Sequence, residues 1–361
     1  MKSLHGVLAS SALCALSLLA SCVDLSGEDE LELATADQSL SVSSWSAPQA
    51  TTQSYRSAQV AMLGGVVYKV ESGRCGVWTC GDSGEADELW WSKQNTDGTW
   101  TPKQRISGQY SGYRVSLAPF NGYLYMVHSG YGSGAANVWL TRFNPATQTW
   151  STNLQLSYRS KGGPPAIAAF NNRLYFAGVD PTNDRVWTAS MSTGEVFSAS
   201  SLLATDISTS RVSLAVMGSK TIPTRLYLAH RHGISTNVVV AKFDGVSWAP
   251  WQYVFAGPTG EALQSNEPVI AGADGYLHMV FKRPDSNYVW WTYYNGSSWP
   301  TAITLNNLTT TYDPSIGTTS RGVTVATTTD VKWNWVTESR LVHLSKFVTP
   351  FDFPLPLPVG R

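Results

Sequence analysis

Four cysteines in 361 residues, no dense Lys/Arg stripe, no Gly-rich phosphate loop and no His-Glu-x-x-His pair leave several functions without their chemistry. Without a basic stripe, nucleic acid is not an expected partner. Without the phosphate loop or the zinc motif, nucleotide-driven and zinc-peptidase chemistry lack their defining residues, and no cofactor is expected. His230 and His232 can share one side of a strand as metal ligands, but a third ligand is not specified. Paired carboxylates for general acid/base work cannot be identified. Charge is sparse and balanced, with 25 basic and 25 acidic residues.

The basic and apolar residues at the start of the chain belong to a targeting segment. Lys2 supplies the positive end, residues 7–20 the apolar stretch, and Leu19-Ala20-Ser21-Cys22 resembles the bacterial lipobox. The resemblance implies cleavage after residue 21 and a lipid on Cys22; an ordinary secretory signal cut nearby is the alternative. The stretch is too short to read as a membrane span. Residues 22–43 then form a tether whose acids, Asp24, Glu28, Asp29, Glu30, Glu32 and Asp37, meet no Lys or Arg. Such a segment buries too little apolar surface to order itself. Setting aside its six acids and Lys2 leaves 24 basic residues against 19 acidic ones, a mildly basic folded part. The expected location is the bacterial cell envelope, at the outer membrane or cell surface, with contact to the membrane through the anchor alone. Export leaves Cys75 and Cys80, five residues apart, to form a local disulfide in an oxidising compartment.

What the chain does have is a repeat. Trp45, Trp100, Trp150, Phe197, Trp248 and Trp299 stand at intervals of 55, 50, 47, 51 and 51 residues. An apolar run ending in a short turn precedes them, as in Val138-Trp139-Leu140-Thr141-Arg142-Phe143 and Val289-Trp290-Trp291-Thr292-Tyr293-Tyr294-Asn295-Gly296. Short strands repeating at 40 to 50 residues predict an all-β propeller with one four-stranded blade per repeat. Innermost strands align at Gln59–Met62, Arg114–Ala118, Pro165–Ala168, Arg211–Ala215, Pro268–Ala271 and Arg321–Val325, and the Trp landmarks fall in outermost strands. Asn121-Gly122, Asn171-Asn172 and Asp274-Gly275 mark tight hairpins between alternating apolar residues. Six blades are expected over residues 44–349, with seven as the rival count. No Trp-bearing strand follows Leu341–Phe347, so the segment around Trp45 is expected to complete the last blade and close the ring. Residues 350–361 are a Pro-rich tail that cannot lie within a sheet.

In this scheme the connections into innermost strands and those leaving second strands share one face, and they are rich in Tyr, Arg and His. The binding face is expected there. Candidate ligand-binding residues are Tyr113, Arg114, His128, Arg211, His230, Arg231, Tyr288 and Arg321. Arg offers a planar fork of donors to hydroxyls or a carboxylate, and aromatic faces pack on the C–H side of sugar rings. The bland alternative is that these Arg pair with carboxylates such as Asp184 and Glu267, and that the Tyr pack between blades. The repeated strand, Asn-Gly-x-Leu-Tyr, Val-Trp and Phe-x-Gly-x-x-Trp-Ser pattern resembles the propeller lectins of bacteria and fungi, especially those binding fucose. That resemblance implies glycan partners held between adjacent blades. Other envelope proteins are a further expected class of partner. No blade carries the full Arg, Glu and Trp set of those lectins. Two other classes stay open: a protein-binding scaffold, and a glycosidase similar to the sialidases, whose Asp-box the segment Asn95–Trp100 fails to match.

Overall fold

The computed structural model describes residues 49–53, 58–74, 87–130, 132–219, 221–233, 235–257, 259–310, 313–319, 322–331 and 339–346. Cys22, the tether, Trp45, Cys75, Cys80, Arg321 and the Pro-rich tail lie outside them. Strand β1 (Gln49–Gln53) comes first and pairs with the far end of the chain. One sheet then follows in the order β2 (Gln59–Leu63), β3 (Val66–Arg74), β4 (Asp87–Lys93), β5 (Gln104–Ser111). The next holds β6 (Ser116–Phe120), β7 (Tyr123–Ser129), β8 (Asn137–Asn144) and β10 (Leu154–Arg159), with β9 (Thr149–Trp150) also paired to β8. Then come β11 (Ala166–Phe170), β12 (Arg173–Val179), β13 (Arg185–Ser192), β14 (Ser201–Ile207), and β15 (Ser213–Met217), β16 (Arg225–Arg231), β17 (Val238–Phe243), β18 (Gln252–Tyr253). A fifth sheet is β19 (Val269–Ala273), β20 (Tyr276–Lys282), β21 (Tyr288–Tyr294), β22 (Ile303–Thr309). The sixth is β23 (Ser315–Thr319), β24 (Gly322–Val331), β25 (Ser339–Lys346) and, beyond it, β1. Sheets are antiparallel meanders, and β2, β6, β11, β15, β19 and β23 lie side by side, with β23 next to β2. This is a β-propeller.

The hairpins form where the sequence puts residues that tolerate positive φ. Gly64-Gly65, Asn121-Gly122, Asn171-Asn172 and Asp274-Gly275 hold both central residues between +46° and +83°, matching the twist of the flanking strands. Alternation then buries one face of each sheet against the next sheet. The apolar clusters accordingly lie between sheets: Tyr68, Leu89 and Trp91 with Leu124, Met126 and Phe143; Tyr125, Val127 and Leu140 with Phe176 and Met191; Tyr227 and Val240 with Leu277 and Met279.

Two expectations are corrected. The landmarks among the described residues, Trp100, Trp150, Phe197, Trp248 and Trp299, do not lie within outermost strands. Trp100, Trp248 and Phe197 make single bridges to the end of the third strand, and Trp150 sits in the short β9. From there they face the neighbouring blade: Trp150 is 5.3 Å from Phe143, which is 5.3 Å from Tyr68 of the preceding sheet. Trp248–Phe243–Tyr175 and Trp299–Tyr294–Tyr227 repeat the arrangement. The repeat seen in the sequence is therefore the mortar between blades. In the last sheet the innermost strand is Ser315–Thr319, and residues 322–325 open the second strand. The segment Ser-Ile-Gly-Thr-Thr lacks apolar alternation, so its pattern gives no strand signal.

Candidate functional site

Antiparallel pairing brings the starts of innermost strands, the ends of second strands and the starts of third strands to one face. Tyr113 and Arg114 precede β6, Arg211 precedes β15, His128 lies in β7, His230 and Arg231 end β16, and Tyr288 opens β21. Seven of the eight candidates thus share a face, and Arg321 lies outside the described residues.

The face separates them by depth. Arg114 and Arg211 are only 9% and 8% exposed, so these two candidates of the binding face are buried. Both turn inward because the loops that carry them meet at the axis, at the end of a cavity of about 330 Å³ lined by the innermost strands. Arg114 Nη1 donates to the carbonyls of Asp313 (3.1 Å) and Pro314, and Nη2 lies 3.9 Å from Glu267 Oε2. Arg211 differs: its Nε is buried with no hydrogen-bond partner among the described residues. Burial lowers Arg211 to about 10, with the like charge of Arg114 as the second cause. It stays cationic at neutral pH. Burial also lowers Arg114, against the pull of Glu267 and Asp313, and raises the Glu267 carboxyl in spite of Arg211. Gly163 (φ +136°) explains how the loop fits: a Cβ there would stand 3.0 Å from Arg211 Cδ and Nε.

The histidines belong to the walls. His128 Nε2 is 3.0 Å from Asn153 Oδ1, and burial lowers its pKa. His230 Nδ1 is 2.7 Å from the Arg231 carbonyl, and its ring meets Trp251 edge-on at 4.7 Å. Among the described residues no group of three His, Cys, Asp or Glu is placed to hold a metal. Arg231 is half-buried, and Tyr288 is 46% exposed. Asp184 accepts from Lys161 Nζ at 2.6 Å, whereas Glu267 does face an arginine.

Sequence reasoning missed a second site. Between the sheets of β8 and β13 lies a cleft of about 220 Å³ lined by Tyr125, Thr141, Arg142, Ser151, Leu154, Met191, Glu195 and Phe197. Arg142 pairs with Glu195 across the seam, and the Tyr125 hydroxyl donates to Glu195 Oε1 at 2.9 Å. The Arg142 guanidinium also lies 4.7 Å over the Tyr123 ring. Glu195 sits at φ +60°, a conformation that a non-Gly residue keeps only when its surroundings fix it. Arg142 and Glu195 stay 39% and 45% exposed, so a donor and an acceptor remain open to solvent beside apolar surface. The signal that could have found them is their separation of 53 residues, one repeat, which puts them on facing sides of adjacent blades.

No protein-family model matches the chain. No curated protein matches it either. Among solved structures, the SapL1 lectin in complex with alpha methyl fucoside is 10% identical, with 80% of this chain and 97% of that chain covered and a TM-score of 0.51. The GH43_1 enzyme from Xanthomonas citri complexed with xylotriose is 11% identical, covering 82% and 88%, with a TM-score of 0.48. The Bacteroides ovatus xyloglucan PUL GH43B is 14% identical and covers 71% of this chain, with a TM-score of 0.46; this chain spans 55% of that one. What the first likeness establishes is the propeller fold.

Proposed function

We propose that this protein is a carbohydrate-binding propeller of six blades, closed by its N-terminal strand and held on the cell envelope by a lipid on Cys22. The observation that carries the reading is the cleft between β8 and β13. Arg142 donates, Glu195 accepts, and Leu154, Met191 and Phe197 supply an apolar wall. A neutral sugar presents the same mixture, hydroxyls around its edge and C–H groups on its face. The shared fold with a lectin that holds alpha methyl fucoside supports the ligand class. The β1–β25 pairing supports the closure. Single exposed sites of this kind bind weakly, so avidity comes from the loop face acting with the cleft and from many anchored copies.

The test is a glycan array followed by titration of the full chain. Arg142→Ala should weaken binding of the array hit at least tenfold, about 1.4 kcal/mol. It should leave stability within about 1 kcal/mol, because an exposed ion pair contributes little. A silent array, or full binding by the variant, rules the cleft out. Anchorage is read separately: Cys22→Ser should move the protein from the membrane to the soluble fraction, and a wild-type protein that is already soluble defeats that part.

A glycosidase remains the second reading because two acidic residues, Glu267 and Asp313, both lie beside Arg114. Turnover of a chromogenic glycoside that is lost in Glu267→Gln selects it over the lectin.

A further inference from the structure

Beyond the inter-blade cleft, we infer that the axial mouth around Arg211 is a separate carboxylate-binding site that takes an acidic sugar, a hexuronate. The two axial arginines are not equivalent. Arg114 is spent on the carbonyls of Asp313 and Pro314 and faces Glu267. Arg211 is more than nine-tenths buried, lines the cavity, and has an Nε with no acceptor among the described residues. A buried guanidinium calls for an acceptor, because the donors it withdraws from water must otherwise go unmet. The walls below carry Ala61, Ala118, Ala168, Ala215 and Ala271, and the polar side chains among them, Gln59, Ser116, Ser213 and Thr318, leave the Arg211 Nε without a partner. A ligand carboxylate supplies one, since its two oxygens match the planar fork of the guanidinium. The missing Cβ of Gly163 leaves the space beside Arg211, since a Cβ there would stand 3.0 Å from its Cδ and Nε. Glu267, 21% exposed at the same mouth, offers an acceptor to a ring hydroxyl, and the volume of about 330 Å³ has room for a ring. Cation and acceptor together fit a carboxylate borne on a polyol better than a bare anion.

The test uses the full chain and titrates galacturonate, its methyl ester, galactose and acetate. Galacturonate should bind at least tenfold more tightly than the ester, which keeps the shape and loses the charge. Equal binding of acid and ester overturns the inference without any variant. Acetate that matches galacturonate overturns the sugar half and leaves a general carboxylate site. Arg211→Gln should lose galacturonate binding at least tenfold with its melting temperature kept, and unchanged binding in a folded Arg211→Gln overturns the assignment. If Arg211→Gln does not fold, the comparison of acid with ester decides. The glycan array reads the inter-blade cleft and the acid-against-ester comparison reads the axial site, so failure of the one, a silent array, and failure of the other, equal binding of acid and ester, are told apart.

Discussion

Phe143→Ala is expected to cost about 3–5 kcal/mol, because its ring sits at a seam between two blades. Phe143 is fully buried at the end of β8. Its ring centroid lies 4.6 Å from Trp91, 5.3 Å from Tyr68 and 5.3 Å from Trp150, so it joins two sheets. Truncation removes the transfer free energy of the ring and leaves a void, because three stiff aromatic neighbours collapse poorly. The tilted ring contacts, each contributing about 0.5–1.5 kcal/mol beyond area, go with it. Val246, 90% exposed at a turn, is the control, and Val246→Ala should stay within about 0.5 kcal/mol. Denaturant unfolding of both variants measures the difference. A loss below about 1 kcal/mol for Phe143→Ala would show that the aromatic stacks are not what joins the blades.

The same stacks explain what could be read before the structure. A blade must present an aromatic to its neighbour at the same point in every repeat, so the landmarks recur near 50 residues and the architecture is legible. Hairpin turns are legible for a local reason: Asn121-Gly122 and Asp274-Gly275 are residues that accept positive φ. The last sheet was misregistered because Ser315–Thr319 is held by its neighbours, with Ser315 Oγ donating to the Ala58 carbonyl and Gln59 Nε2 to that of Ile316. A bond across 257 residues leaves no local trace. Arg114 and Arg211 could be named as functional candidates from their place before innermost strands. Their convergence could not, since a one-dimensional period does not say which loops turn toward the axis. For the same reason the asymmetry between them, Arg114 bonded to carbonyls and Arg211 with an Nε that has no partner among the described residues, belongs to the structure alone.

The closest approaches in the fold give the last prediction: Gly272→Ala and Gly317→Ala should each destabilise the protein by about 3 kcal/mol, the upper end for overpacking. Both glycines lie on innermost strands, where a missing side chain marks close backbone contact. A Cβ on Gly272 would stand 1.8 Å from the carbonyl oxygen of Val216 in β15, and one on Gly317 would stand 2.0 Å from that of Val60 in β2. A neighbouring side chain could rotate away; a carbonyl already fixed in a sheet cannot. Neither effect comes from backbone strain, because neither glycine has positive φ. Gly122→Ala separates the two causes. Gly122 has φ +78° but open space around its missing Cβ, so only the conformational cost of about 1–2 kcal/mol applies. Urea unfolding of the three variants ranks them, and a loss at Gly272 no greater than at Gly122 would mean that the innermost strands stand further apart. Gly317 carries a second meaning, because its contact joins the sixth sheet to the first. If Gly272→Ala is costly and Gly317→Ala is harmless, the ring is open at that seam, and the proposed closure through β1 and β25 fails with it.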